Sequence, residues 1–386
     1  MPGSLALYIH WPFCVSKCPY CDFNSHVRTS VDQTAWASAL LSDMAYEAAL
    51  TPGRRLSSIF FGGGTPSLMP PSTVEALINA AECHWGFDED IEITLEANPS
   101  SVEAARFGDL AVAGVNRVSL GIQSLDDAAL AFLGRAHSVK ESLDALDIAQ
   151  SEFARVNIDL IYARPHQSAD DWKAELQRAI ELGTDHLSLY QLTIEPGTRF
   201  ATLVREGRFV PADDDDSAAL YELTQDITAA SGLASYEISN HARTGQQSRH
   251  NLSYWRYTDY IGIGPGAHGR RLSSATQRHR KPENFLSAVN RNTHGITLEE
   301  ALDNNTRATE ALLMGLRLAE GVDLDDIAKR TDVPVDDLID ANAVAAIEKL
   351  GLLQKSGVRL VVTRQGMPLL DAILPEIVKV EPGTAA

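Results

Sequence analysis

The chain has 386 residues, of which 44% are hydrophobic, and a formal net charge of −19. A chain of this length can bury a large core and is expected to form one large domain and a smaller one. Binding to nucleic-acid phosphates depends on clustered Lys and Arg side chains. Because only a short basic run at residues 269–281 interrupts the acidity, the composition argues against a nucleic-acid partner.

The amino-terminal residues lack the basic flank and apolar run of a secretory signal. No later stretch has the roughly 20 successive apolar residues that span a bilayer. Four cysteines in so long a chain do not make a disulfide framework. We therefore expect a cytoplasmic protein with no transmembrane segment, in which closely spaced cysteines serve as metal ligands or redox groups.

Short β-rich segments alternate with amphipathic helical segments through the first half of the chain. This rhythm predicts an α/β fold with a parallel sheet, covered by helices that cross back between strands. Six such units fit either an open sheet or a barrel that stops short of eight. The predicted strands are 6–11, 57–63, 91–97, 117–123, 156–163 and 186–194.

The rhythm stops near residue 240, where a Gly- and Asn-rich segment surrounds a single predicted strand, YIGIG. From Thr297 onward the pattern is helical and ends in a predicted hairpin, which resembles a winged-helix layout. The predicted divisions are a core at 1–240, a connecting segment at 241–296, a helical carboxyl-terminal domain at 297–376 and a disordered tail at 377–386.

Two features are interpreted as structural rather than as metal sites. The acidic run Asp213 to Asp216 suits the amino end of a helix and lacks calcium-loop spacing. Cys83 lies on the apolar side of a predicted helix, and we expect it to be a small buried residue.

The spacing C-x3-C-x2-C joins Cys14, Cys18 and Cys21 directly after the first predicted strand. Structural zinc normally takes four protein ligands, and no second cysteine pair follows. An iron–sulfur cluster is also held by thiolates, and a [4Fe–4S] cube bound by three cysteines leaves one iron free of protein. The spacing therefore favours a cluster over zinc, and either over three structural cysteines.

Polar residues recur at the carboxyl ends of the predicted strands, where parallel α/β folds gather their chemistry. Together they predict one site lined from several strands. They are Cys14, the run Gly62 to Gly64 with Thr65, Glu96, Gln123 and Asp159.

The cysteine loop, with FFGGGTP, GIQS, LGRAHS and DLIYARP, resembles the oxygen-independent coproporphyrinogen oxidase family of the radical S-adenosylmethionine superfamily. The resemblance covers nearly the whole chain. It implies a partial (β/α)6 barrel with a smaller, mainly helical, winged-helix-like carboxyl-terminal domain. It also implies a [4Fe–4S] cluster whose open iron chelates S-adenosylmethionine. The implied cofactor-contacting residues are Tyr8, Tyr20, Gly63, Gly64, Thr65, Glu96, Gln123, Arg135 and Asp159.

This family contains both a radical oxidase and haem chaperones. Three features resemble the chaperone branch: Phe23 where the oxidase has another cysteine, a short segment before the first strand, and the motif HNLSYW at 250–255. We therefore expect a chaperone that delivers haem to an unidentified acceptor protein, with a homodimer left open. The alternatives are coproporphyrinogen oxidation, which would make the protein an enzyme, and radical modification of RNA, which the acidity disfavours.

In the chaperone branch, the histidine of HNLSYW is implicated in haem binding, which makes His250 the haem-ligand candidate. Imidazole is a common haem ligand, and the aromatic residues that follow could flank a porphyrin. A lone histidine before aromatics is, however, more often an ordinary packed residue. Further candidates are His10, His137, His241 and His268.

Overall fold

The computed structural model describes residues 4–379. Its strands are β1 (Leu5–Trp11), β2 (Phe13–Cys14), β3 (His26–Val27), β4 (Leu56–Gly63), β5 (Phe87–Ala97), β6 (Arg117–Gln123), β7 (Arg155–Tyr162), β8 (His186–Gln191), β9 (Ala234–Ser235), β10 (Asn240–Ala242), β11 (Tyr260–Ile263), β12 (His268–Arg271), β13 (Ser274–Arg278), β14 (Ile296–Ala301), β15 (Val322–Asp323), β16 (Leu353–Ser356) and β17 (Arg359–Val362).

The α-helices are α1 (Gln33–Leu50), α2 (Pro71–Trp85), α3 (Ser101–Ala104), α4 (Phe107–Val112), α5 (Asp127–Phe132), α6 (Val139–Glu152), α7 (Ala169–Glu181), α8 (Arg199–Arg205), α9 (Asp214–Ala230), α10 (Arg249–Trp255), α11 (Pro282–Asn292), α12 (Asn304–Gly315), α13 (Leu324–Thr331), α14 (Val335–Leu338), α15 (Ala341–Lys349) and α16 (Leu370–Ile377). None of the helices in the described range is long and apolar enough to cross a membrane.

One large sheet organises the described part of the chain, in the order β14-β13-β12-β11-β1-β4-β5-β6-β7-β8-β10-β9. The run from β11 to β8 is parallel throughout. Strands β1 and β6 are buried along nearly their whole length, because helices cover one face of the sheet and side chains fill the other. The six predicted strands and the predicted α/β barrel class are thereby confirmed.

The segment 241–296, predicted to be a connection, takes part in the same sheet. Strand β11 pairs in parallel with β1, and β12, β13 and β14 then extend the sheet in antiparallel fashion. This part of the chain therefore contains more strands than the single strand that the sequence predicted. The motif HNLSYW, which was not predicted to be regular structure, lies in helix α10, whose first turn is capped by Ser248.

The carboxyl-terminal part has its own apolar core, built from α12, α13, α15, α16 and the small sheet β15-β17-β16. The predicted hairpin is present as β16 and β17. The prediction of helix from Thr297 was wrong, because residues 296–301 pair with β13 as a strand. Helix α12 begins only after Asp303, whose carboxylate accepts a bond from the backbone N–H of Thr306.

Three smaller expectations have separate outcomes. Asp213 caps α9, as predicted from the acidic run. Cys83 is exposed rather than buried, because it lies on the outer side of α2 between the buried Ala81 and Trp85. In the predicted tail, Ile377 is buried and Val378 bridges to Ile339, while residues 380–386 lie outside the described range.

Candidate functional site

The three clustered cysteines lie in a loop that leaves the carboxyl end of β1. Cys14 is in the short strand β2, which pairs with β3 and closes the loop at its base. The backbone N–H of Cys21 donates to the carbonyl of Cys18 at 3.1 Å. All three thiols are half-buried. The loop therefore keeps the three cysteines close together in a short segment closed by backbone hydrogen bonds.

Contacts with the far part of the sheet hold this loop in place. The side-chain amide of Asn24 donates to the carbonyls of Pro265 at 2.8 Å and Arg280 at 2.9 Å. The backbone carbonyl of Asn24 accepts a bond from Nε2 of His10 at 2.9 Å, and Nδ1 of the same ring faces the hydroxyl of Tyr8 at 2.9 Å. The segments that follow β11 and β13 are therefore part of the support of the cysteine loop.

Each outer thiol has a hydroxyl neighbour. Thr65 Oγ1 lies 3.4 Å from the sulfur of Cys14, and Ser25 Oγ lies 3.9 Å from the sulfur of Cys21. Burial raises the pKa of both thiols, and the neighbouring cysteines raise the pKa of Cys14 further. Three thiolates at this place consequently need a compensating positive centre.

The residues fit an iron–sulfur cube. Over residues 4–379, no three His, Cys, Asp or Glu side chains already converge as the ligands of a single metal ion do. A cube takes one thiolate per iron, so its ligands stand farther apart than those around one zinc ion. The three thiols of Cys14, Cys18 and Cys21 are a donor set that suits a cube with one thiolate on each of three irons.

The glycine run after β4 lets the backbone approach this loop closely. Gly63 has φ +115°, and a Cβ at this position would lie 2.6 Å from the ring of His10. A Cβ on Gly64 would lie 2.7 Å from the carbonyl oxygen of Phe13. Only glycine fits at both positions without a steric clash. The backbone N–H of Gly63 also donates to Glu96 Oε2 at 3.2 Å.

Arg135 connects the cysteine loop with the strand ends. Its Nη1 donates to the sulfur of Cys18 at 3.4 Å, and its Nη2 donates to Asn98 Oδ1 at 2.6 Å and to the carbonyl of Gly121 at 2.9 Å. Its buried Nε has no hydrogen-bond partner among the residues described. A buried guanidinium with an unused donor beside a thiol suits a polar ligand at this point.

Two carboxylates lie deeper in the barrel. The carboxylate of Asp159 accepts bonds from Ser119 at 3.2 Å and Asn157 at 2.7 Å. Burial, with a further contribution from the negative charge of Asp159, raises the pKa of Glu96 to about 8. Burial also raises the pKa of Asp159. A cation beside these two carboxylates would favour their ionised forms.

The other predicted cofactor residues border the same space. Tyr8 lies beneath the glycine run, and a Cβ on Gly62 would come within 2.8 Å of its ring. Gln123 has φ 72°, which turns its amide back over Gly121. Tyr20 lies in the cysteine loop with its ring 6.3 Å from that of Phe200. The predicted strand-end residues thus border one region, as the sequence indicated.

Asn98 was missed by the sequence analysis. Its Nδ2 donates to Thr65 Oγ1 at 3.3 Å, while its Oδ1 accepts the bond from Arg135. It therefore links the hydroxyl beside Cys14 to the guanidinium beside Cys18. The available signal was its position directly after β5, two residues beyond Glu96.

His250 lies away from the cysteines, near the amino ends of the strands. Its Nδ1 is hydrogen-bonded to Ser58 Oγ at 3.0 Å and its Nε2 to the hydroxyl of Tyr254 at 2.8 Å. The ring stacks on Phe60 at 5.0 Å, and burial lowers its pKa to about 3. Haem ligation by either nitrogen would require one of these hydrogen bonds to break.

The further histidine candidates are mostly engaged as well. His10 uses both ring nitrogens, and His137 is buried with Nε2 donating to a backbone carbonyl at 3.1 Å. His241 is buried in β10, where burial lowers its pKa to about 4. His268 is exposed on β12, with Nε2 3.4 Å from the side-chain amide of Gln277.

Comparison with known proteins places this arrangement in a family. The Radical SAM superfamily matches residues 8–179, and the HemN C-terminal domain matches residues 302–369. A solved structure, described as coproporphyrinogen III oxidase (HemN) from Escherichia coli, a radical SAM enzyme, superposes with a TM-score of 0.81. It covers 97% of this chain and 90% of its own at 23% identity, which shows the shared fold.

Curated relatives are more similar in sequence. Heme chaperone HemW of Escherichia coli is 44% identical over 268 residues, which is 69% of this chain and 70% of that protein. Heme chaperone HemW of Mycobacterium tuberculosis is 35% identical over 97% of this chain and 95% of its own. The mitochondrial radical S-adenosyl methionine domain-containing protein 1 of Bos taurus is 37% identical over 97% and 87%. The chain therefore belongs to the radical S-adenosylmethionine superfamily, in the family that contains these HemW proteins and the mitochondrial radical S-adenosyl methionine domain-containing protein 1.

Proposed function

We propose that this protein is a haem chaperone that binds haem and delivers it to an acceptor protein. The observation that carries the proposal is the 44% identity to the Escherichia coli protein named heme chaperone HemW, with a second HemW aligned along nearly the whole chain. The acceptor is a protein of unspecified identity, and a homodimer is part of the proposal.

Membership of the radical SAM superfamily implies binding of a [4Fe–4S] cluster and S-adenosylmethionine. We assign the cluster to Cys14, Cys18 and Cys21. When bound, the cluster and cofactor supply one-electron chemistry and an exchangeable iron position. The residues of this chain orient the ligand and exclude water.

The cofactor-binding roles follow from the charges around the site. S-adenosylmethionine carries an ammonium and a sulfonium. We therefore assign Glu96 and Asp159 to these two cationic groups. Arg135, with a free Nε donor, is placed near its carboxylate. The backbone of Gly63 and Gly64 admits the ligand close to the cysteine loop. Lining roles for Tyr8, Tyr20, Thr65 and Gln123 complete the proposed site.

The alternative function, oxidation of coproporphyrinogen, has weaker support. The structural match to HemN has 23% identity and shows the fold alone. Two positions after Cys21, where the oxidase is expected to carry a further cysteine, this chain has Phe23, which is 60% exposed on the loop. A cytoplasmic location also remains a prediction, because the family includes bacterial and mitochondrial relatives.

Haem titration of anaerobically reconstituted protein tests the proposal. We expect a saturable Soret band and transfer of the haem to an apo-haemoprotein added in excess. Incubation with reductant, S-adenosylmethionine and coproporphyrinogen is expected to leave the porphyrinogen unchanged. Failure to bind or release haem, or formation of protoporphyrinogen, would contradict a chaperone-only function. Apo and cluster-loaded samples, compared by size and haem affinity, test whether the cluster regulates either property.

A further inference from the structure

We propose that haem binds in the groove between α5, the β7–α7 loop, α7 and the segment 203–209, with His166 as its axial ligand. This inference rests on the proposed chaperone function and names the binding site. The groove has a volume of about 950 Å³, within the range of small-molecule sites. It is distinct from the cysteine loop and from the buried His250.

His166 is the available imidazole in this groove. It is exposed, and within residues 4–379 neither ring nitrogen has a hydrogen-bond partner. By contrast, both nitrogens of His250 are engaged. Coordination of ferric haem iron needs an imidazole lone pair that can face the porphyrin. His166 meets this need without breaking an existing hydrogen bond.

The turn that carries His166 is rigidly built. The backbone N–H of Gln167 donates to the carbonyl of Arg164 at 3.0 Å, which closes the turn. The guanidinium of Arg164 pairs with Glu175 of α7 at 2.5 Å, and Gln167 Nε2 reaches the same carboxylate at 3.3 Å. His166 itself adopts φ 63°, a left-handed conformation that costs a non-glycine residue free energy. The fold therefore presents the imidazole at the apex of a fixed turn.

The charges of the groove suit two porphyrin propionates. Three carboxylates line it, but local structure uses each of them: Asp126 caps α5, Asp171 accepts hydrogen bonds from Ser168, the N-cap of α7, and Glu175 pairs with Arg164. Among the cations, Arg178 uses Nη1 for a backbone carbonyl at 3.1 Å. The side chain of Arg208 has no partner in the described structure. Exposed guanidinium donors thus remain for carboxylate groups.

The opposite wall is apolar and reaches the cysteine loop. Phe132 and Phe209 line the groove with their rings 5.3 Å apart, and both pack on the buried Phe200. The backbone N–H of Phe200 donates to the carbonyl of Pro19 at 2.9 Å, and its ring lies 6.3 Å from that of Tyr20. This wall suits a flat aromatic ligand. Haem bound there would be separated from the cysteine loop by one layer of aromatic side chains.

The test uses the full-length, cluster-loaded protein and ferric haem. We expect His166→Ala to weaken haem binding by about tenfold or more and to shift the Soret band, with imidazole in the buffer restoring the spectrum. His84→Ala, which removes an exposed histidine on α2, is the matched control. Arg208→Glu should also weaken binding, whereas Arg205→Glu, at the carboxyl end of α8 and outside the groove, should not. Ala128→Trp fills the groove and leaves His166 in place, so it should compete with haem.

The outcomes separate this inference from the proposed function. If wild type binds haem and His166→Ala binds it with the same affinity and spectrum, the assignment of haem to this groove is wrong. The chaperone function then still stands. Loss of binding in a folded His250→Ala variant, with His166→Ala unaffected, would assign the haem to His250 instead. If wild type binds no haem, both proposals fail. Thermal melts and iron content of each variant establish that fold and cluster are retained.

Discussion

Arg135 donates Nη1 to the sulfur of Cys18 at 3.4 Å and Nη2 to the side chain of Asn98 at 2.6 Å. The side-chain Nδ2 of Asn98 donates to Thr65 Oγ1 at 3.3 Å, and the same hydroxyl lies beside the sulfur of Cys14. Cys14 and Cys18, four positions apart in sequence, are therefore joined through two residues that follow strands, Thr65 and Asn98, and through Arg135, which follows helix α5. This network fixes the surroundings of the Cys14 and Cys18 thiols relative to each other.

Replacing each clustered cysteine by serine should abolish cluster assembly. We expect iron and sulfide to fall to background in Cys14→Ser, Cys18→Ser and Cys21→Ser after anaerobic reconstitution, because a hydroxyl is a poor ligand for these irons. Cys83→Ser is the control, since this thiol is exposed on α2. A full iron complement in the triple variant would overturn the cluster assignment.

Arg135→Lys should make the cluster more labile. Lysine keeps the positive charge but not the planar fork that contacts the sulfur of Cys18, Asn98 and a carbonyl together. We expect faster iron release to a chelator and a loss of roughly 1–3 kcal/mol in the free energy of unfolding, because buried acceptors lose their donor. Arg291→Lys, an exposed site on α11, should change neither quantity. Equal release rates in the two variants would contradict this role.

Gly63→Ala should destabilise the protein strongly. The residue has φ +115°, and a Cβ would lie 2.6 Å from the ring of His10, which two hydrogen bonds hold in place. We expect a loss of about 2–4 kcal/mol in the free energy of unfolding, from backbone strain and overpacking together. The measurement is denaturant unfolding of the apo protein.

Gly53→Ala separates these two causes. Gly53 also has a positive φ, +73°, but a Cβ there would meet nothing within 4 Å. Only backbone strain applies, so the expected loss is about 1 kcal/mol. A similar loss in both variants would show that the contact with His10 does not matter.

Glu96 should make the stability of the apo protein depend on pH. Its pKa is raised from 4.5 to about 8, first by burial and then by Asp159. Between these values the folded state holds a proton that the unfolded chain has released. The stabilisation from protonated Glu96 is therefore fully present below about pH 4.5 and is lost as the pH rises through about 8.

Denaturant midpoints at about pH 5 and about pH 9 measure this effect. Glu96→Gln, which stays neutral, should lose less stability over this interval than wild type. Glu89→Gln changes an exposed carboxylate on the same strand and should behave as wild type. A pH profile of Glu96→Gln that parallels wild type would show that Glu96 is already ionised in the folded protein.

Local patterns were sufficient for the elements that the chain forms by itself. The sequence of the strand Leu5–Trp11 is mostly apolar, because both faces of the strand are buried, and this pattern predicted it. The cap at Asp213 follows from a preference that acts within one turn. The strand Ile296–Ala301 was misread as helix, because its charged, exposed residues pair with β13 only in the assembled sheet.

The sequence by itself determined the cysteine spacing, the six strand and helix units and the order of polar strand ends, because these depend on neighbours along the chain. Only the tertiary structure decided that Asn98 links Thr65 to Arg135, that His250 is enclosed by Ser58 and Tyr254, and that His166 lines a groove with its side chain exposed. Hydrogen-bond partners distant in sequence, and the burial that shifts a pKa, are set by packing between elements, which periodicity and spacing do not encode.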